Sequence, residues 1–144
     1  MKVVAVIEAR MGSTRLPEKT LMDIAGTSLL ERIIERINPS KTVQEIIIAT
    51  SVNSNDDEIE KLCKKIELKC FRGSEDDVLG RVYEAIKDCN ADIIVQCGAD
   101  CPFYDPELID LLVNIMKWGG YDYTANDMKL TFPEGIDAHV IKYK

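Results

Sequence analysis

Short apolar runs rich in β-branched residues recur along the chain, and each is bounded by polar residues. This pattern is typical of strands buried on both faces of a sheet. It predicts strands at Val3 to Ile7, Glu45 to Thr50, Leu68 to Phe71 and Ala91 to Cys97. Weaker strand signals follow in YDYTAN (121–126) and DAHVIKY (137–143).

Segments with helical spacing of apolar residues lie between these runs. Ser28 to Ile37 reads SLLERIIERI, in which Ser28 can cap the helix and Glu31 can complete a capping box. Asp105 followed by Pro106 predicts the start of a helix that runs to about Lys117. Two further helices are predicted, at about 56–66 and at 75–87. The acidic residues of the segment NDDE (55–58) are expected to be solvated at the start of the first of these helices.

The alternation of strands and helices predicts an α/β fold with a three-layer, mainly parallel sheet and helices on both faces. In such sheets ligands bind outside the carboxyl ends of the strands. The loops after Ile7 and after Cys97 are therefore the expected positions of a site.

Composition narrows the functional class. The 144 residues hold 18 Lys and Arg against 25 Asp and Glu, a net charge of −7. This balance argues against a general nucleic-acid binder, which needs a cationic surface. No apolar run approaches the ~20 residues of a membrane span, and the N-terminus lacks a signal-peptide pattern. With five cysteines, an odd number, we expect reduced thiols in a cytoplasmic protein rather than a zinc site.

The first of the two loops, Glu8 to Thr20, is cationic within this acidic chain. Arg10, Arg15 and Lys19 suit phosphate oxygens, and the backbone of Gly12, Ser13 and Thr14 can form an anion nest. A Walker A loop is excluded, because it would need glycine at positions 13 and 18. From composition alone, a solvated surface loop is favoured over a phosphate site, and the position of the loop after the first buried strand makes the two interpretations equal.

The loop and several later segments carry a resemblance to a known family. The segment AVIEARMGSTRLPEKTLMDIAGTSLLERIIERI resembles the N-terminal signature of the cytidylyltransferases. These include the 3-deoxy-manno-octulosonate, acylneuraminate and spore-coat polysaccharide biosynthesis types. The similarity continues through EIIIATSVNSNDDEI, FRGSEDDVLGRV, GADCPFYDPELID and GGYDYTAN, and so covers nearly the whole chain.

The resemblance implies a nucleotide-diphospho-sugar transferase-like (Rossmann-like) fold and assigns a nucleotide loop. That loop maps onto Ala9, Arg10, Gly12, Ser13, Arg15 and Lys19. Arg15 and Lys19 would hold the triphosphate and act in catalysis. Two positions depart from the family, which commonly has Gln at Glu8 and Gly at Glu18. An anion at position 18 would repel a phosphate unless it points to solvent.

The second loop supplies the expected metal ligand. Asp100 follows a predicted strand, opposite the cationic loop, and a carboxylate there suits Mg²⁺ bound to phosphate oxygens. The family has a metal-ligating Asp at this point of the motif, although from the residues alone Asp100 could simply shape the turn before Pro102. Asp137 is a weaker second candidate.

Two further residues are implied to lie near the nucleotide. Ser74 and Arg81 occupy positions that relatives place near the base. The alternative for Ser74 is a helix N-cap.

The leading hypothesis is a Mg²⁺-dependent enzyme that transfers a cytidylyl group from CTP to an acidic or related sugar, releasing pyrophosphate, in surface or coat polysaccharide biosynthesis. The alternatives are a nucleotide-sugar-binding glycosyltransferase, another NTP-using nucleotidyltransferase, and a non-catalytic nucleotide-binding module.

We expect residues 1–144 to form one nucleotidyltransferase domain that lacks the family's C-terminal part. CTP and a sugar acceptor are the expected partners, without nucleic acid or membrane insertion. A homodimer is compatible with the resemblance.

Overall fold

The computed structural model describes residues 1–13, 15–129, 131–133 and 135–143. Its strands are β1 (Val3–Glu8), β2 (Asp23–Ile24), β3 (Thr27–Ser28), β4 (Glu45–Ser51), β5 (Lys69–Gly73), β6 (Ile93–Gly98), β7 (Tyr123–Ala125) and β8 (His139–Lys142). Its helices are α1 (Leu29–Ile37), α2 (Asp57–Lys65), α3 (Val78–Ile86) and α4 (Pro106–Gly119). Short 3₁₀ turns occur at Lys19–Leu21 and Ser54–Asp56.

Within the described residues, six strands form one sheet in the order β5-β4-β1-β6-β8-β7. The pairs β1–β4, β1–β6 and β4–β5 are parallel, whereas β8 runs antiparallel to both β6 and β7. The prediction of a mainly parallel sheet is therefore confirmed. Because β1 lies between β4 and β6, the loops after these three strands meet at one edge.

Helices cover both faces of the sheet, as predicted. One apolar layer joins alternate β1 residues, such as Ala5 and Ile7, to α1, α2 and α4. The other joins Val4 and Val6 to α3. The alternation of β1 side chains between two buried layers explains its uninterrupted apolar sequence.

The helix ends show how well local sequence defines these elements. Ser28 and Glu31 form the predicted capping box on α1. Asp105 caps α4 by accepting a hydrogen bond from the N–H of Glu107, and Gly120 ends that helix with a positive φ of 64°. The start of α3 was predicted wrongly, because Asp77 rather than Ser74 caps it through the N–H of Gly80.

None of the helices in the described part of the chain has the length and apolarity needed to cross a bilayer.

Candidate active site

A cavity of about 310 Å³ lies at the carboxyl ends of β1 and β6, beside the first turn of α3. This is the edge to which the rule for parallel sheets directs attention. Residues of the loops after both strands line it, together with Val78 and Arg81 of α3.

The structure brings most of the predicted site residues to this cavity. Those that line it are Ala9, Arg10, Ser13, Arg15, Lys19, Arg81 and Asp100. Gly12, Ser74 and Asp137 are not part of the lining. The sequence patterns did not indicate Thr20, Val78, Gly98 or Ala99 as site residues, although each lies within three positions of a residue that they did indicate.

The cationic loop is organised around the backbone of Met11. The Met11 carbonyl accepts hydrogen bonds from the N–H of Ser13 at 2.8 Å and from the N–H of Glu18 at 3.2 Å. The Ser13 amide is therefore used inside the loop, so the expectation that it points inward as part of an anion nest is wrong. Thr14, the third residue of that predicted nest, lies outside the described residues.

A second bond fixes the end of the loop. The Thr20 hydroxyl donates to the Arg10 carbonyl at 2.7 Å, and Thr20 is buried. Arg10 and Arg15 are themselves exposed. The loop thus has an ordered backbone that presents long cationic side chains to the cavity.

Lys19 and Asp100, which both line the cavity, form an ion pair. The Lys19 Nζ lies 3.5 Å from the Asp100 Oδ2, and the two side chains are 30% and 56% exposed. The pair joins the two loops that the sequence singled out, one from each side of the β1–β6 pair. Both groups remain accessible to a ligand.

The donor set at Asp100 fits a magnesium ion that takes most of its ligands from a nucleotide and water. Mg²⁺ is commonly held by one or two carboxylates, with phosphates and waters completing its shell. Among the described residues, no three His, Cys, Asp or Glu side chains converge as a metal site. Asp137 is half-buried and stays off the cavity lining, so the structure does not bring the two predicted metal acids together there.

Arg81 reaches the cavity from α3 and is only 3% exposed. Its Nη1 donates to the carbonyl of Ser74 at 2.5 Å and to that of Glu75 at 3.3 Å, while its Nε has no partner among the described residues. Ser74 therefore meets Arg81 through its backbone, and its hydroxyl accepts from the N–H of Asp77 at 3.1 Å. Ser74 supports Arg81 from outside the cavity.

The two departures from the family pattern have different surroundings. Glu8 lines the cavity, and its Oε1 accepts a hydrogen bond from the side-chain amide of Gln96. Glu18 is exposed, lies outside the cavity lining and has a left-handed φ of 59°. The repulsion expected from Glu18 is thus moderated by solvent, and its backbone conformation is one that glycine adopts without strain.

Thiols beside the cavity are held in their protonated form. Burial raises the pKa of Cys97 to about 12. Burial also raises the pKa of Cys101, and the nearby carboxylate of Asp100 adds to this shift. Neither thiol is a thiolate nucleophile near neutral pH.

One acid near the cavity was misjudged from sequence. Asp56, predicted to be a solvated residue at a helix start, is 2% exposed. Its Oδ1 accepts a hydrogen bond from the Met11 N–H at 2.7 Å. The two residues are 45 positions apart, so no local pattern could have indicated the contact.

A family model described as Cytidylyltransferase matches residues 4–138. The chain is 37% identical over 143 residues to the spore coat polysaccharide biosynthesis protein SpsF of Bacillus subtilis, covering 96% of this chain and 58% of SpsF. It is 35% identical over 117 residues to a 3-deoxy-manno-octulosonate cytidylyltransferase of Bdellovibrio bacteriovorus, covering 80% of this chain and 46% of that enzyme.

A solved structure from Leptospira borgpetersenii, described as a cytidylyltransferase, superposes with a TM-score of 0.92 at 36% identity. The alignment covers 99% of this chain and 60% of that one. The chain thus spans about half the length of the curated relatives it matches.

Proposed function

The chain belongs to the cytidylyltransferase family, and from that premise we propose that it transfers a cytidylyl group from CTP to an acidic sugar and releases pyrophosphate. The product would serve surface or coat polysaccharide biosynthesis, as the names of the relatives suggest. The observation that carries the proposal is the cavity at the β1–β6 edge, which Arg10, Arg15, Lys19 and Asp100 all line.

The charges of the cavity suit a triphosphate. Four cationic side chains and two carboxylates line it, in a chain whose net charge is −7. Arg15 and Lys19 bind the phosphate oxygens, Arg10 stands at the start of the loop, and Arg81 borders the cavity from α3. Cations held in place where negative charge builds up lower the barrier, because they need no reorganisation during the reaction.

The reaction is an in-line substitution at the α-phosphorus. A hydroxyl oxygen of the acceptor forms the new bond to phosphorus while the bond to the β-phosphate oxygen breaks, and its proton is lost to solvent. Lys19 and Arg15 neutralise the charge that grows on the departing pyrophosphate. Asp100 would hold Mg²⁺, which when bound supplies further charge neutralisation at the phosphates.

Calorimetry tests the nucleotide assignment. CTP with Mg²⁺ is titrated into the protein beside UTP, GTP and ATP, and into Lys19→Ala. Selective CTP binding that is lost in the variant supports the proposal. Equal binding of all four nucleotides contradicts CTP specificity and favours another NTP-using transferase or a glycosyltransferase.

Turnover tests the chemistry. Pyrophosphate release is followed with CTP and 3-deoxy-manno-octulosonate, the sugar acid named in one relative, and with other sugar acids. Release that depends on acceptor and disappears in Asp100→Lys supports transfer. CTP binding without release from any acceptor favours a nucleotide-binding module.

A further inference from the structure

The carboxylate of Asp56 is buried without a countercharge. It is 2% exposed, and no ion pair is formed with it among the described residues. A buried carboxylate is costly unless hydrogen bonds replace its hydration. Its donors are the Met11 N–H at 2.7 Å, the Ser51 N–H at 3.1 Å and the Ser51 hydroxyl.

This side chain does not serve its own helix. Asp56 stands at the N-cap position of α2, where an aspartate commonly accepts a hydrogen bond from the first turn. It makes no such bond here. Its two oxygens instead connect the cationic loop, through Met11, with the end of β4, through Ser51.

The hydrogen bonds of Met11 connect Asp56 to the rest of the cationic loop. Asp56 holds the Met11 N–H, while the Met11 carbonyl receives the N–H groups of Ser13 and Glu18. Those two residues bracket the part of the loop that holds Arg15, and Lys19 follows directly. A single buried acceptor therefore fixes the peptide around which the phosphate-binding segment is arranged.

We propose that Asp56 is a positioning residue that holds the cationic loop in its ligand-binding conformation before the nucleotide arrives. This inference rests on the proposed function, since it assigns Asp56 to the same site. Ordering a loop in advance improves affinity, because binding then no longer has to offset the loss of loop entropy. Asp56 acts through Met11 and need not touch the ligand.

The variant Asp56→Asn tests the proposal with almost no change in shape. The asparagine side chain has one acceptor oxygen and one NH₂ group, so it cannot accept hydrogen bonds from Met11 on one side and from Ser51 on the other. Its NH₂ group then faces a backbone N–H, which is also a donor. We expect the affinity for tripolyphosphate and for CTP to fall about tenfold. In turnover, KM for CTP should rise by a similar factor, with kcat less affected.

Asp110 provides the matched control. Its carboxylate also organises a loop, accepting from the Ser40 hydroxyl at 2.6 Å and from the N–H groups of Lys41 and Thr42 at 3.0 and 2.9 Å. It does not line the cavity. Asp110→Asn should lower the melting temperature while leaving tripolyphosphate affinity unchanged. Equal losses of affinity in the two variants would overturn the proposal.

Hydrogen exchange of the wild-type protein supplies a test that does not depend on a variant folding. The Met11 amide should exchange slowly before any ligand is added. Exchange at the rate of an unstructured chain would contradict a preformed loop.

Tripolyphosphate separates this inference from the proposed function. If the wild type binds tripolyphosphate but does not prefer CTP to UTP, GTP and ATP, the cytidylyl assignment fails. A tenfold loss of tripolyphosphate affinity in Asp56→Asn still supports the positioning role. If the wild type binds neither tripolyphosphate nor CTP, both proposals are overturned.

Discussion

Replacement of Lys19 by alanine should weaken nucleotide binding far more than it weakens the fold. The Lys19–Asp100 pair spans 3.5 Å between side chains that are 30% and 56% exposed. Ion pairs of this kind contribute about 0.2–1 kcal/mol to stability. With an unfolding entropy of about 2.1 cal/mol/K per residue, that loss lowers the melting temperature by only about 1–3 °C.

The effect on binding is larger, because a hydrogen bond to a charged group contributes about 1.5–3 kcal/mol. Lys19→Ala should therefore raise the Kd for CTP by about 10- to 150-fold. Calorimetry and thermal melting measure the two effects on the same samples. Lys64→Ala is a suitable control, since it removes a surface ion pair with Glu60 of 2.7 Å that lies on α2, outside the cavity lining.

The partner variant Asp100→Asn gives a result of opposite sign. Without divalent metal it should bind CTP more tightly than the wild type, because it removes a carboxylate that competes with the phosphates for Lys19. Added Mg²⁺ should then improve its affinity less than it improves that of the wild type. The reasoning is refuted if Lys19→Ala binds CTP within about twofold of the wild type while melting more than about 5 °C lower.

Substitutions at three further positions test individual features. Glu18→Gly should stabilise the protein by about 0.5 kcal/mol in urea unfolding, as relief of the left-handed backbone exceeds the added chain entropy, whereas Glu18→Ala should not. Hydrogen bonds, first from Lys2 and then from Lys69, lower the pKa of Glu45 in the folded protein from its ordinary value of 4.5. The stability that the ionised Glu45 gives the protein is therefore complete above that ordinary pKa and is lost as the pH falls through the lower pKa of the folded state. Glu45→Gln should flatten the loss of stability below about pH 5, seen as a shallower change of melting temperature. Asp105→Ala removes the cap on α4 and should cost about 1 kcal/mol by urea unfolding, and an unchanged midpoint would refute the capping role.

Local sequence was sufficient for the elements whose signals lie within one turn or one strand. The capping box of Ser28 and Glu31 and the Asp105–Pro106 start of α4 are both contacts between near neighbours. The beginning of α3 was predicted too early because SEDD (74–77) offers three residues that can cap a helix, Ser74, Asp76 and Asp77. Pairing of Gly73 with Ser51 of β4 keeps the chain extended, and the cap then falls on Asp77.

Contacts between distant segments had no such signal. Asp56 belongs to a run of acids that looks solvated, and only the adjacency of β4 and β1 places it beneath Met11. Asp137 is a similar case, because the residues around it in the sequence do not indicate that it lies off the cavity lining.

Strand order is what converts two loop motifs into one site. Lys19 and Asp100 are 81 positions apart, and each motif taken alone is compatible with a surface loop. Parallel pairing of β1 with β6 aligns Glu8 with Gly98, so that both chains leave the sheet at the same edge. Each crossover returns the chain to the opposite edge of the sheet before the next parallel strand begins. The loops that follow these strands therefore start at the same edge and can meet. The pairing of β1 with β6 therefore places the cationic loop beside the loop that holds Asp100, and the ion pair between Lys19 and Asp100 follows from this arrangement.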